Sequence, residues 1–446
     1  MDRSRAFIPV QYAGGTLARN DAKSAVRTGG NHPARCFVPI HERHHVTAMK
    51  ELPVPRTEAL MQRLLGIQSM VENLDPNLPR VFVRWAIRHP RHLPSLIRLA
   101  RAHQLTSRAR DQALENGMQV PPFLILSVTT RCNLRCSGCY AGAVGITACS
   151  PEARPALGLD DWRRVIEEAS ALGVVAFVIA GGEPFMLPGI TSLFRQFSDR
   201  LFLVFTNGTA IEDSDFQALK RCRNTAVVVS VEGDRELTDG RRGSGVYQRA
   251  LQTLDRLRAA GVLTGLSVTI SPANIDYWSQ EQNIDMLLAR SGPLAFFIEQ
   301  IPTSESQGPA IPAEQRARLR ATVLRVRNRA TGAAYLIHSP DDEEFFGGCV
   351  SAGRGFAHVT PTGDVTACPF SALATHNVSS STISQAFAGS FFTMIRDNGP
   401  MLETHDHPCS LFANAGKLES MAKTLGAYRT GAAEPGVVHL AAQSLP

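Results

Sequence analysis

The chain has 446 residues, 44% hydrophobic and 19% charged, a globular composition with length for about two to three domains. Nine cysteines, odd in number and unevenly spaced, do not make a secreted disulfide framework; they favour a reducing compartment, hence the cytoplasm, and metal or cluster ligation. The net charge of +6 is uneven, since residues 1–120 hold 18 Lys and Arg against 9 Asp and Glu, leaving −3 for the rest.

Residues 1–55 show Gly pairs, scattered polar residues and little periodicity, so they are expected to be irregular. His41, His44 and His45 lie near Cys36, but their spacing matches no closed zinc site. Residues 56–118 turn helical and basic. Pro94 suits the first turn of a helix with Leu96, Ile97, Leu99 and Ala100 apolar and Arg91, Arg98 and Arg101 charged. Packing on a neighbouring domain is the first reading of that face. The alternative is an anionic membrane surface contacted through residues 78–103, a peripheral association. Nucleic acid is not expected as a partner. No apolar stretch reaches the ~18 residues of a spanning helix, and no signal peptide is expected.

From residue 123 strands and helices alternate. Strands are predicted at Phe123–Thr129, Val174–Ala180, Leu201–Thr206, Thr225–Val231, Leu263–Ile270 and Leu294–Ile301, with helices near 159–172, 189–199, 213–222, 245–260 and 280–291. Runs of Val, Ile, Leu and Phe suit strands buried on both faces, and βα repetition implies a parallel sheet. The fold class is therefore α/β, a partial (β/α)6 TIM-like barrel over residues 119–338, closed by a helix at 313–330 and a short strand Tyr335–His338. Residues 339–446 read as a small β-rich C-terminal module and tail.

The first strand runs into Cys132, Cys136 and Cys139, a spacing that can converge three thiolates on one inorganic centre. A [4Fe–4S] cluster usually takes four cysteines, so three leave one iron open to bind something else. In barrels of this kind the site gathers at the C-terminal strand ends, where this loop falls.

Cys-Asn-Leu-Arg-Cys-Ser-Gly-Cys after the first strand resembles the cluster loop of the radical S-adenosylmethionine (SAM) superfamily. Further elements match at later strand ends: Gly181-Gly182-Glu183-Pro184, Thr206-Asn207-Gly208, Ser230-Val231-Glu232-Gly233, with Glu where the family has Asp, and Arg242-Gly243. The resemblance implies a SAM-binding [4Fe–4S] cluster on the three cysteines. It implies a methionine amino group received at Gly181 to Pro184, with Glu183 offering its carboxylate, and a methionine carboxylate gripped by Arg242. Thr206, Asn207 and Ser230 complete the implied SAM contacts. Many members carry an aromatic residue just before the third cysteine; here Gly138 stands there and Tyr140 follows, which makes Tyr140 the candidate contact. Glu232 and Glu299, the latter expected to face the barrel mouth, are the candidate catalytic residues.

The C-terminal module resembles the SPASM or twitch extension of that superfamily through Cys349, Gly363, Cys368 and Pro369. It implies one auxiliary [4Fe–4S] cluster on Cys349, Cys368 and Cys409, with His405, His407, Cys149 or substrate as the fourth ligand. Cys222 and Cys36 are read as non-ligands. Asp341, Asp342, Glu343, Arg354 and His358 are candidate substrate contacts, with a solvated loop as the alternative. The implied activity is reductive SAM cleavage, a 5′-deoxyadenosyl radical and hydrogen abstraction, fed by a donor such as flavodoxin or ferredoxin. Peptide or protein modification is the favoured substrate class. A lipid or isoprenoid substrate and a non-catalytic iron–sulfur electron carrier are the alternatives.

Overall fold

The computed structural model describes residues 77–147, 155–302, 309–329, 334–346, 348–399, 402–403 and 409–430. Residues 1–55, expected to be irregular, the start of the expected basic helical segment, and Cys36, His41, His44, His45, Cys149, His405 and His407 lie outside these residues.

Seven apolar runs form β1 (Phe123–Ser127), β2 (Ala176–Ala180), β3 (Leu201–Thr206), β4 (Thr225–Val231), β5 (Leu263–Ile270), β6 (Leu294–Glu299) and β7 (Tyr335–Ser339). They lie side by side in chain order, each parallel to the next. Helices cross between them at Leu159–Leu172, Ile190–Gln196, Asp213–Leu219, Val246–Ala259, Glu281–Ser291 and Ala313–Arg329. This is the α/β parallel sheet of a partial barrel.

Alternation along the strands gives the sheet two unlike faces. On one, Phe177, Ile179, Phe202, Val204, Val229, Val268 and Phe297 are fully buried in one core with Trp162, Ile166, Leu254 and Leu319 from the helices. Each such side chain contributes roughly 1.5–3 kcal/mol through burial. On the other, the inner side of the partial barrel, Val228, Leu294 and Phe296 pack with half-buried Leu203, Phe205, Ile298 and Ile337. That inner face is apolar and incompletely covered.

The C-terminal segment does not build a sheet of its own. β8 (Phe356–Val359) pairs in parallel with β1, Phe123 opposite Phe356 and Leu126 opposite Val359. β9 (Asp364–Thr366), β10 (Leu373–Asn377) and β11 (Tyr428–Arg429) then extend the edge antiparallel. The result is one sheet in the order β11-β10-β9-β8-β1-β2-β3-β4-β5-β6-β7. A four-residue strand carries too little periodicity to reveal which edge it joins.

The basic helix Leu93–Glu115 has Pro94 in its first turn and packs on Leu159–Leu172, burying Ala102 and Thr106. Arg110 donates to the Gly173 carbonyl at 2.7 Å, and a Cβ on Gly173 would lie 2.9 Å from the Thr106 carbonyl oxygen, so the close approach requires glycine. Among the described residues no helix is long and apolar enough to cross a membrane.

Candidate active site

The loop after β1 is braced by the loops after β2, β3 and β4. Gly182 donates to the Thr129 carbonyl and Glu183 to that of Arg131, both at 2.8 Å. A Cβ on Gly182 would sit 2.0 Å from the Arg131 carbonyl oxygen, so the glycine pair exists for backbone approach to the cysteine loop itself. Asn133, inside the cysteine motif, accepts from Asn207 Nδ2 at 2.9 Å and donates to Thr209 Oγ1 at 2.8 Å. Ser137 donates to the Arg241 carbonyl at 2.9 Å. Gly138 takes φ +63°, a left-handed conformation an aromatic residue adopts only at a cost, which explains why this chain has glycine there.

Cys132 is exposed, Cys136 and Cys139 are half-buried, and all three are free thiols. Burial raises the Cys132 thiol, with Leu134 N–H working against it, and raises that of Cys136, with Arg242 and Arg241 opposing. Glu183 is 1% exposed and accepts from Thr206 Oγ1 at 2.7 Å, Asn207 N at 2.8 Å and Phe185 N at 3.3 Å. Its burial outweighs these bonds and pushes its carboxyl up to about 6. The carboxylate expected to face a ligand ammonium thus ties the second loop to the third.

Glu232 is likewise enclosed. Its Oε1 takes Arg241 Nη1 at 2.6 Å and Arg242 Nε at 2.7 Å, with Arg242 Nη2 at 2.6 Å, and its Oε2 takes Thr269 N at 3.2 Å. Its backbone carbonyl accepts from Trp278 Nε1 at 3.0 Å. Burial works against the Arg242 charge, but Glu232, Cys136 and Cys139 more than offset it, so the guanidinium is held firmly protonated. Ser230, on the inner face, shares a 3.0 Å hydrogen bond with Ser267.

Glu299 is placed differently from the sequence expectation. It pairs with Ile270 in the sheet register, on the helix-packed face rather than the inner one. There Arg316 of Ala313–Arg329 donates to it at 2.6 Å and His338 Nε2 lies 3.1 Å away. Burial opposes its charge, but His338 and Arg316 hold its carboxyl below the usual range. Asp341 and Asp342 belong to the same outer network, through Arg316 at 2.6 Å and through Arg320 and Arg327 at 2.7 and 2.8 Å. Parity along β6 decides the matter, and a strand end read without its register does not reveal it.

The second cysteine set comes from three separate segments. Cys349 follows β7, Cys368 follows β9, and Cys409 precedes the turn of helix Ser410–Ala413. All three are free. Burial pushes Cys349 up to about 11 and Cys409 up to about 12, and raises Cys368 well above the usual thiol range, with Cys349 adding to the rise at Cys368 and Cys409. Arg354, a candidate substrate contact, instead braces this turn by donating to the carbonyls of Gly348, at 3.4 Å, and Phe346, at 3.0 Å.

A buried polar chain links the two sets. Tyr140, next to Cys139, lies beside the Gly181 backbone and the Ser127 side chain. Ser127 Oγ lies 2.8 Å from His358 Nε2, His358 Nδ1 lies 2.8 Å from Thr366 Oγ1, and Thr366 donates to the Cys368 carbonyl at 3.0 Å. The Tyr140 ring also meets Phe370 with centroids 5.5 Å apart. His358, expected near substrate, is 1% exposed, and burial drives its imidazole down to about 3. Sequence reasoning missed Asn133, Arg241 and Ser127, whose roles depend on neighbours remote in the chain.

Residues 126–280 match the family model described as the radical SAM superfamily. Over that stretch the chain is similar to members of that superfamily. Fe-coproporphyrin III synthase of Methanosarcina barkeri is 32% identical over 158 residues, 34% of this chain and 38% of that protein. AdoMet-dependent heme synthase of the same organism is 24% identical over 286 residues, 58% of this chain and 79% of that one. The chain therefore spans about two fifths of the first relative and four fifths of the second. Among solved structures, Streptococcus suis SuiB bound to precursor peptide SuiA superposes with a TM-score of 0.50 at 16% identity, covering 77% of this chain and 84% of that one, a likeness of fold.

Radical SAM proteins use SAM with a [4Fe–4S] cluster, and SPASM-type members carry auxiliary clusters; both cysteine sets fit such groups. Each offers three unpaired thiols. Among the described residues, the set of His, Cys, Asp and Glu ligand atoms lying within 4.8 Å of one another, as a single ion needs, is Glu299, His338 and Asp341. There Arg316 already bridges the two carboxylates and occupies the cation's place.

Proposed function

We propose that this radical SAM protein cleaves SAM reductively and directs the resulting 5′-deoxyadenosyl radical at a hydrogen of a peptide or protein substrate. The observation that carries the reading is the convergence of three strand-end loops on the loop of Cys132, Cys136 and Cys139 through Gly182, Asn133–Asn207 and Arg241 with Ser137 and Gly138. When bound, a reduced [4Fe–4S] cluster supplies the electron that breaks the sulfonium C–S bond. An external one-electron donor of flavodoxin or ferredoxin type delivers it.

The chain's own groups bind and orient. Glu232 holds Arg242 through Nε and Nη2, leaving Nη1 to meet the methionine carboxylate. Gly181 to Pro184 form the wall beside the cysteine loop that receives the amino group, and Glu183 fixes that wall to Thr206 and Asn207. Tyr140 and Ser230 border the space toward the inner face. Glu232 acts here by positioning Arg241 and Arg242. The apolar inner face of Leu203, Phe205, Ile298 and Ile337 excludes water from a carbon-centred radical.

The peptide assignment is supported by the fold shared with SuiB, whose structure holds a precursor peptide. A second reading, a tetrapyrrole substrate, is favoured by the two methanogen relatives named as porphyrin and heme synthases and by the apolar inner face. Anaerobic reconstitution with iron and sulfide, then reduction with SAM present, tests the common step. Release of 5′-deoxyadenosine supports it; none from protein with intact clusters overturns it. Single-turnover assays with Fe-coproporphyrin III or with a panel of unmodified peptides then separate the substrates, by which one raises 5′-deoxyadenosine above the uncoupled background.

A further inference from the structure

At the N-terminal ends of β5 and β6 lies a cavity of about 400 Å³, walled in part by the helix Asn77–Arg88. The turns into the two strands supply Val262 and Pro293, and Leu288 of helix Glu281–Ser291 also lines it. The strands run parallel, so the cysteine loop after β1 stands at the opposite end of the sheet, on the order of 20 Å away along the strands. Arg84, Trp85 and Arg88 share one side of the helix by their spacing of one and four, while Val83 and Ala86 are buried on the other side.

The lining is basic. The guanidiniums of Arg84, Arg88 and Arg258 and the imidazole of His89 border the cavity, and among the described residues that line it there is no carboxylate. Asp255, one turn before Arg258, is spent on Arg290 at 3.0 Å, and Arg258 is fixed by donating from Nη1 to the Arg290 carbonyl at 2.9 Å. Burial, then the charges of Arg91 and Arg88, lower the His89 imidazole, so cationic groups crowd one another here. Trp85 is held rigid. Its ring meets those of His89 and His92 edge-on, with centroids 4.7 and 4.6 Å apart. His92 is 3% exposed and hydrogen-bonded through Nε2 to the Gly261 carbonyl at 2.8 Å, directly before Val262 in the wall. Guanidinium forks match phosphate oxygens, and a fixed indole beside apolar side chains suits a flat or apolar organic body. The volume is more than a bare phosphate fills and lies within the range of small-molecule sites.

We propose that this cavity is a second binding site, taking a small phosphorylated organic ligand whose phosphate meets Arg88 and Arg258 and whose body lies along Trp85, Val262 and Leu288. The site does not depend on the cysteine chemistry. Its distance from Cys132, Cys136 and Cys139 assigns the ligand to docking or regulation rather than to the reacting group. A free nucleotide and a phospholipid headgroup share this chemistry.

The test uses the full chain and three probes: ADP and pyrophosphate by calorimetry, and sedimentation with phosphatidylcholine vesicles with and without phosphatidic acid. Arg88→Ala and Arg258→Ala change exposed side chains and are expected to weaken binding by at least about tenfold each. Arg101→Ala, an exposed arginine outside the cavity, is expected to leave it nearly unchanged. Of the three tryptophans, Trp162 and Trp278 are buried, so a ligand-dependent change in tryptophan fluorescence is expected to vanish in Trp85→Phe. Binding of ADP with this pattern names a soluble ligand, and binding of phosphatidic acid vesicles alone names a headgroup; both support the site. Equal weakening by Arg101→Ala reveals a general basic surface and overturns it. So does binding that neither Arg88→Ala nor Arg258→Ala affects, or no binding of ADP, pyrophosphate or vesicles by protein folded by circular dichroism.

Discussion

The two cysteine sets differ in how the chain assembles them. Cys132, Cys136 and Cys139 share eight consecutive residues on one loop and are exposed or half-buried, whereas Cys349, Cys368 and Cys409 come from three segments, the first two buried and Cys409 half-buried. The first is a local motif held open by outside braces, among them Gly182, Asn207 and Arg241. The second is created by the sheet edge, since β8 and β9 carry the chain back beside β1.

The sharpest way to test this contrast is to remove one ligand from each set. Cys136→Ser is expected to lower 5′-deoxyadenosine formation by at least about three orders of magnitude, because cleavage needs the cluster in place. Cys368→Ser is expected to leave detectable SAM cleavage without substrate. Chromatographic quantitation of both products checks this pair.

Next in size are two glycines, one at each site, that each bring a backbone within reach of a carbonyl. A Cβ at Gly182 or at Gly348 would lie 2.0 Å from the Arg131 or Leu402 oxygen. Each Gly→Ala change is expected to cost about 4 kcal/mol in denaturant unfolding of the apo-protein, the range of severe backbone strain. Gly182→Ala is further expected to impair iron loading at the first set and Gly348→Ala at the second, read by iron content in protein whose other cysteine set is replaced by Ala.

Glu232→Ala comes third. It strands Arg241 and Arg242 without their buried partner, with an expected loss of about 3 kcal/mol or more. SAM affinity by calorimetry is expected to fall with it, whereas Asp213→Ala, which breaks the exposed pair with Arg256, changes stability by well under about 1 kcal/mol.

The smallest effect is a slope with pH. His358 sits near 3 in the folded protein, far below the ~6.5 of an unfolded histidine, because burial disfavours its charge. Between those values the unfolded chain binds the extra proton, so stability is full above about pH 6.5 and falls as pH drops, by about 1.4 kcal/mol per unit from this group. His358→Gln is expected to flatten that part of the curve, measured by urea unfolding from pH 7 to 5.

Much of the first site is readable along the chain. Cys132, Cys136 and Cys139 lie within one loop, and the alternating apolar runs set the strands whose ends hold Gly181–Pro184, Thr206–Asn207 and Ser230–Glu232. Local spacing and periodicity encode these features because they depend on residues a few positions apart. The direction of Glu299 does not follow from them; it depends on register with β5, and the sheet turns it toward Arg316. His358 and Ser127, 231 positions apart, become partners through the β1–β8 pairing alone. Asp341, Asp342 and Glu344 appear in sequence among four adjacent acids, and only tertiary packing sets them against Arg316, Arg320 and Arg327. The physical reason is the same throughout. Propensity and periodicity act over a few residues, whereas burial, charge compensation and strand parity are properties of the assembled sheet, so the motif was written in the chain and its surroundings were made by the fold.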